Sequence, residues 1–322
     1  MNDCTPGGDE FGGDEPVNGD CHSFWRLLPP SEYFEEHPEY YALHDGERVP
    51  CESGWGPGQL CLTNPDVLRI VTENVLKHLR EHPETRYVEV SQCDNKKYCQ
   101  CEKCAAIDEA EGSPSGTMIR FVNAIAEAVE KEFPDVFIRT FAYQYTRTPP
   151  KITKARHNVI VRYCTIEACF RHALNDPNCE CNSSTFRTEM EEWGKMAEHL
   201  SVWDYVVNWS CFAAPFPHLI SLRENARFFA ENNALHLFEE CNAGYSGGLT
   251  PELKSYHQLA LSWGVIPVLA LHQNNTDALF THAIDCAKQN DLVVKGDKAV
   301  ITAGVPLGIE GTTNLLKVQI VQ

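Results

Sequence analysis

Between positions 64 and 240, short runs of β-branched and aromatic residues alternate with longer runs whose apolar residues recur every three or four positions. No other feature constrains the fold as strongly. Alternating strands and helices return each strand to the sheet in the same direction, which specifies an α/β protein with a parallel sheet covered by helices. The stretch "NPDVLRIVTENVLKHLREHPE" predicts a helix capped by Asn64, with Pro65 in its first turn and Leu68, Val71, Val75 and Leu79 along one face. "RYVEVSQ" predicts a strand, and "GTMIRFVNAIAEAVEKEF" a helix with Met118, Val122, Ile125 and Val129 inward. The strands "VFIRTFAYQYT" and "NVIVRYCTIE" follow, then the helix "FRTEMEEWGKMAEHL", the strand "SVWDYVVN", the helix "RENARFFAEN" and the strand "ALHLFEE".

Each predicted strand ends in polar or aromatic residues. In chain order these are Gln92, Asp94 and Asn95; Tyr143, Gln144 and Tyr145; Glu167; Trp203, Asp204, Tyr205 and Asn208; and Glu239 with Glu240. Ligands of parallel α/β folds sit at the carboxyl ends of strands. Carboxylates, amides and aromatic faces on one rim suit a sugar, whose hydroxyls need acceptors and whose ring face needs a flat apolar platform. Singly, Trp203 and Tyr143 read equally well as core and the acids as helix caps; five such rims together favour a site.

A formal net charge of −18 argues against a nucleic-acid or anionic-membrane partner, because phosphates repel such a surface. No run is long and apolar enough to span a bilayer. The first twenty residues read as an acidic, disordered lead without the apolar core of a signal peptide, which taken literally predicts a cytoplasmic chain with reduced thiols. Fifteen cysteines, an odd number, leave at least one unpaired. Three of them, Cys99, Cys101 and Cys104, form C-x-C-x2-C just after the strand-end pair Asp94 and Asn95. A structural zinc needs a fourth ligand, for which Cys93 stands nearest and Cys179 or Cys181 are distant alternatives. Buried thiols, or a disulfide in an exported parent, are the competing readings. On any of them the cysteines brace a loop and take no part in catalysis.

The strings "CHSFWRLLPPSEYFEEHPEYYAL", "QLCLTNPDV", "VSQCDNKKYCQCEKC", "FAYQYTRTPP", "VWDYVVNWSCFAAPFPHL" and "RFFAENNALHLFEE" together resemble glycoside hydrolase family 163, over about 21–259. The resemblance implies an exported endo-β-N-acetylglucosaminidase acting on N-glycans, without a required cofactor. It also implies a (β/α)8-type barrel, here partial and lacking its first strands. Retaining cleavage needs a proton donor and a carboxylate that attacks or orients the substrate's acetamide. Glu167 is the first candidate for the acid, Asp94 or Asp204 for polarising the acetamide, and Glu240 is the further candidate. Asn95, Tyr143, Trp203, Tyr205 and Asn208 would hold the sugar. Cys93 departs from the family, which usually carries Asn before this Asp. If the missing strands abolish turnover, a glycan-binding module remains.

From about position 260 the text changes. "LSWGVIPVLAL" and "TDALFTHAIDCAKQNDLVVKGDKAVITAGVPLGIEGTTNLLKVQIVQ" resemble the C-terminal half of the pyruvate kinase regulatory domain. The pattern predicts a helix at 277–290 and strands at 299–303 and 315–321. The resemblance implies that the loop 308–313 lies beside a sugar-phosphate effector site. The residues that hold phosphoenolpyruvate and its metals in that family are absent, so no phosphoryl transfer is expected. Two partial domains meeting here read as a fused or misassembled frame, or as a fusion whose tail completes the truncated barrel. The latter asks strands selected for another core to match volume and register.

Overall fold

The computed structural model describes residues 21–206, 221–240, 268, 273, 275–303 and 315–322. Asn208, the first twenty residues and the loop 308–313 lie outside them, as do the side chains of Glu239 and Glu240. The chain divides into two compact units, Met1–Ala243 and Gly244–Gln322.

The first unit opens with two single-turn helices, α1 (Phe24–Leu27) and α2 (Pro30–Tyr33), then a hairpin of β1 (Ala42–His44) and β2 (Glu47–Val49). There follow α3 (Pro65–Glu81), β3 (Tyr87–Glu89), α4 (Glu102–Glu111), α5 (Ser115–Glu130), β4 (Phe137–Ala142) and β5 (Val159–Cys164). Further along come α6 (Arg187–Met196), β6 (His199–Tyr205), α7 (Leu222–Glu231) and β7 (Ala234–Glu240). Strands β3 to β7 all run parallel, as the alternation of the sequence predicts, and they pair in chain order.

Local chemistry explains the elements. Asn64 Oδ1 accepts from the backbone N–H of Asp66 at 2.9 Å and of Val67 at 3.4 Å, capping α3 ahead of Pro65. Val67, Ile70, Val71, Val75 and Leu79 of α3 are buried against the sheet with Met118, Val122, Ile125 and Val129 of α5. Each such side chain contributes roughly 1.5–3 kcal/mol of burial. Helix α4 escaped the sequence reading because "EKCAAIDEAE" has no apolar stripe; its buried residues are Cys104 and Glu111. Left-handed Gly112, at φ 74°, ends it.

One face of the sheet lies under the helices. The other carries Tyr87, Glu89, Phe137, Arg139, Phe141, Arg162, His199, Ser201 and Trp203, and it is concave. Tyr87 on β3 meets His236 on β7 edge-on with ring centroids 5.4 Å apart. Strands four places apart in a flat sheet would lie about 19 Å from one another, at about 4.8 Å per strand. The sheet therefore curls into a trough. No ladder joins β3 to β7 among the described residues, so the expected barrel is an open trough in them and no closed sheet is found. Its floor holds a buried ion pair, Arg139 Nε to Glu89 Oε2 at 2.6 Å. Beside it Arg162 donates to Ser201 Oγ at 3.3 Å and lies over the Trp203 and Phe238 rings. Burial, then repulsion from Arg139, lowers Arg162 to about 10.

Among its described residues the second unit holds α8 (Thr276–Gln289) and an antiparallel pair, β8 (Lys298–Ala303) with β9 (Leu315–Ile320). These match the expected helix and strands within a residue. No helix among the described residues is long and apolar enough to cross a membrane.

Candidate functional site

At the carboxyl ends of the strands the trough opens into a cleft of about 570 Å³, within the roughly 300–1,000 Å³ typical of small-molecule sites. Its walls bring together residues from six segments: His22, Trp25 and Arg26; Gly54 and Trp55; Asp94; Phe141 and Tyr143; Cys164 and Ile166; Trp203 and Tyr205. A smaller hollow of about 320 Å³ lies at the amino ends, between 83–86 and 132–136, and its lining holds one aromatic residue, Phe133.

Asp94 is the carboxylate of the cleft lining among the described residues. Its Oδ1 accepts from Gln144 Nε2 at 2.6 Å, and its backbone N–H donates to Gly54 O at 2.6 Å. Gln144 reaches it from a left-handed backbone, φ 52°, and His22 on the same cleft has φ 60°. Such conformations are costly for residues with a Cβ and cluster where side chains must be aimed. His22 Nδ1 meets Gln92 O at 2.7 Å. Burial raises the Tyr143 hydroxyl above its ordinary range, and the neighbouring Asp94 charge adds to this. Trp203 Nε1 is buried without a hydrogen-bond partner among the described residues.

Of the residues expected to form the site, Asp94, Tyr143, Trp203 and Tyr205 meet in this cleft. Asn95 does not line it: its Nδ2 donates to Gly58 O at 3.1 Å and its Oδ1 accepts from Lys97 N at 3.0 Å, so it holds a loop. Asp204 is 1% exposed and accepts from Thr165 Oγ1 at 2.5 Å, tying β6 to the end of β5. Glu167 stands just beyond the cleft residue Ile166, about half exposed, paired with Arg147, which also donates to Glu189 at 2.9 Å. Asn208 and the Glu240 side chain lie outside the described residues. The reading by strand ends missed His22, Trp25, Arg26, Trp55 and Phe141. The first four sit on segments ahead of β3, where no strand pattern points to a shared rim.

The cysteines are organised otherwise than expected. Cys61, Cys99, Cys101 and Cys104 place their thiols within 4.8 Å of one another, a group that can hold a metal ion. Cys61 replaces Cys93 as the fourth member. Cys93 is turned away to the buried thiol of Cys51, while its backbone N–H and C=O are taken by the Gln59 amide at 2.9 and 2.7 Å. The cluster lies between the hairpin and the 98–104 loop, with Gln100 N bonded to Leu43 O at 2.6 Å and Cys61 N to Tyr40 O at 2.8 Å. Hydrogen bonds, from Cys104 first and Cys99 next, hold the Cys61 thiol far below its usual range.

Residues 7–268 match the family described as "Domain of unknown function (DUF4838)". The chain belongs to the DUF4838 family. Residues 248–319 of this DUF4838 protein also match "Pyruvate kinase, alpha/beta domain". Over 73 residues it is 49% identical to the pyruvate kinase of Lactobacillus delbrueckii subsp. bulgaricus, which is 23% of this chain and 12% of that enzyme. The pyruvate kinase of Clostridium acetobutylicum is 45% identical over 74 residues, 23% of this chain and 16% of that protein. That of Staphylococcus saprophyticus subsp. saprophyticus is 42% identical over 73 residues, 23% and 12% respectively. The DUF4838 protein thus spans less than a fifth of the length of these curated relatives. It is a chimera of a DUF4838 domain and a pyruvate kinase C-terminal domain.

Proposed function

We propose that the DUF4838 unit is a glycoside-hydrolase-type site, built on a partial (β/α)8-type barrel, that binds and cleaves glycans at β-linked N-acetylglucosamine. The cleft carries this reading: Trp25, Trp55, Phe141, Tyr143, Trp203 and Tyr205 surround a carboxylate whose position is set by an amide. Aromatic faces stack on the apolar face of a sugar ring. Asp94, with one oxygen held by Gln144, would accept from the acetamide N–H and turn the acetamide carbonyl toward the anomeric carbon. The acetamide oxygen then displaces the leaving oxygen, and a carboxylic acid protonates it. Glu167 would serve as that acid by leaving Arg147, since it sits one residue past the cleft wall.

The test is incubation of the purified chain with an N-glycoprotein, with released glycans read by mass spectrometry. Release that disappears in Asp94→Asn supports the reading, and absence of both release and glycan binding overturns it. The position of Glu167 outside the cleft favours a second reading, a binding module; glycan binding without release would establish it. The formal charge of −18 makes a neutral glycan a better partner than a nucleic acid or an anionic membrane.

The same reading assigns a structural zinc to Cys61, Cys99, Cys101 and Cys104. Four thiolates about 2.3 Å from a tetrahedral zinc lie about 3.8 Å apart, and Cys61 Sγ is 3.8 Å from Cys101 Sγ. Leu43 N–H points at Cys99 Sγ at 3.4 Å and Thr63 Oγ1 lies 3.2 Å from Cys104 Sγ, the outer hydrogen bonds that thiolate ligands use. The metal would bind the 59–61 segment to the 98–104 loop. Gln59 extends that brace to Cys93 and Asn95, on either side of Asp94.

A further inference from the structure

The loop after β5 gathers a second set of soft donors, which neither the cleft nor the first cysteine cluster uses. Cys169, His172 and Cys179 bring one ligand atom each within 4.8 Å of one another. Cys169 Sγ and His172 Nδ1 are 3.3 Å apart. A thiolate and an imidazole nitrogen on one tetrahedral zinc, with bonds of about 2.3 and 2.0 Å, lie about 3.5 Å apart. Cys181, two residues past Cys179, is exposed. The four form C-x2-H-x6-C-x-C, one imidazole and three thiols.

The scaffold beneath them is built. Asn182, fully buried, accepts from Cys169 N at 2.9 Å and donates to Cys169 O, His172 O and Ala173 O at 3.0–3.1 Å. One side chain thereby fixes the turn carrying two donors to the helical segment carrying Cys181. The stretch that follows Cys181, Asn182–Phe186, has π-helical geometry, which recurs at functional sites. A thiol–imidazole dyad alone would need only Cys169 and His172. The convergence of Cys179 on the same point, with Cys181 beside it, is what a metal requires and a dyad does not.

We propose that Cys169, His172, Cys179 and Cys181 form a second, structural zinc site, in which Cys181 turns inward to complete the tetrahedron. Glu167 lies two residues before Cys169 and the cleft residue Ile166 three, so the metal pins the loop that carries them. Only that consequence rests on the glycosidase reading; the metal site does not.

The test counts zinc in the full chain after expression with zinc and exhaustive dialysis. Two zinc ions per chain are expected, falling by one in His172→Ala and in Cys181→Ser, and by a different one in Cys61→Ser. X-ray absorption at the zinc edge of the unaltered chain needs no variant. The first cluster supplies sulfur alone, so an imidazole shell reports the second site. His172→Cys should keep the zinc and abolish that shell. Zinc without any imidazole shell, or zinc unchanged in His172→Ala and Cys181→Ser, overturns the proposal. Zinc unchanged in Cys61→Ser but lost in His172→Ala supports it while sinking the assignment of the first cluster.

Discussion

The residues that separate folding from function in the cleft are its aromatics. Trp55 is 76% exposed on a loop, so Trp55→Ala should move the stability by no more than about 0.5 kcal/mol. If it stacks on a sugar, the same change weakens glycan binding at least tenfold, as truncating a central aromatic anchor does at about 2 kcal/mol or more. Calorimetric titration with a glycan, alongside a melting curve, reads both. Phe141 lines the same cleft but is 2% exposed, and Phe141→Ala should cost about 3–5 kcal/mol of stability. Asp94 was legible from its place after a strand. Cys61 was not: it stands alone in "QLCLTN", 38 residues before Cys99, and only the hairpin carries it to the cluster.

At the scale of elements, one buried carboxylate joins α4, α5 and the 151–153 loop. Glu111 accepts from Arg120 at 2.6 Å and from the backbone N–H groups of Ile152 and Thr153 at 2.9 and 3.0 Å, as well as from the Thr153 hydroxyl. Burial alone would raise its carboxyl, but the Thr153 and Ile152 hydrogen bonds and Arg120 outweigh it and bring the value down to about 2 from 4.5. The folded value is depressed, so this stabilisation is present above about 4.5 and is lost as the pH falls toward 2. Glu111→Gln should flatten the acid limb of stability in that window, measured by urea unfolding across pH. A Cβ on Gly116 would lie 2.1 Å from Glu111 Cγ, so Gly116→Ala should displace the carboxylate and destabilise the fold by about 1–3 kcal/mol, despite a better helix propensity. Nothing in "EKCAAIDEAE" announces this, because the burial of Glu111 depends on groups up to 42 residues away.

For the whole molecule, the two compact units should unfold separately. Calorimetry of the full chain is expected to show two transitions, as multidomain chains do. A single cooperative transition would instead favour a tail that completes the trough. If the two cysteine groups hold the proposed zinc ions, a strong chelator should lower the melting temperature of the first unit alone, since both groups belong to it. In the second unit Val300, Leu316, Val318 and Ile320 are each about 60% exposed among the described residues. On the β8–β9 pair these four side chains lie on one face, which is thus apolar and exposed.

The sequence alone determined the parallel direction of the strands, the cap and apolar face of α3 and the inward face of α5. These rest on spacing and neighbouring residues, which a chain carries wherever it goes. It also placed Asp94, Tyr143, Trp203 and Tyr205 at strand ends. Tertiary structure alone decided the rest. The curl that brings Tyr87 to His236 depends on how five strands twist together. Cys61 joins the thiol cluster and Cys93 leaves it because distant segments pair, and Asn95 and Asp204 bond loops and strands together because partners there reached them first. Those choices are competitions between groups far apart in the chain, and local sequence does not encode their outcome.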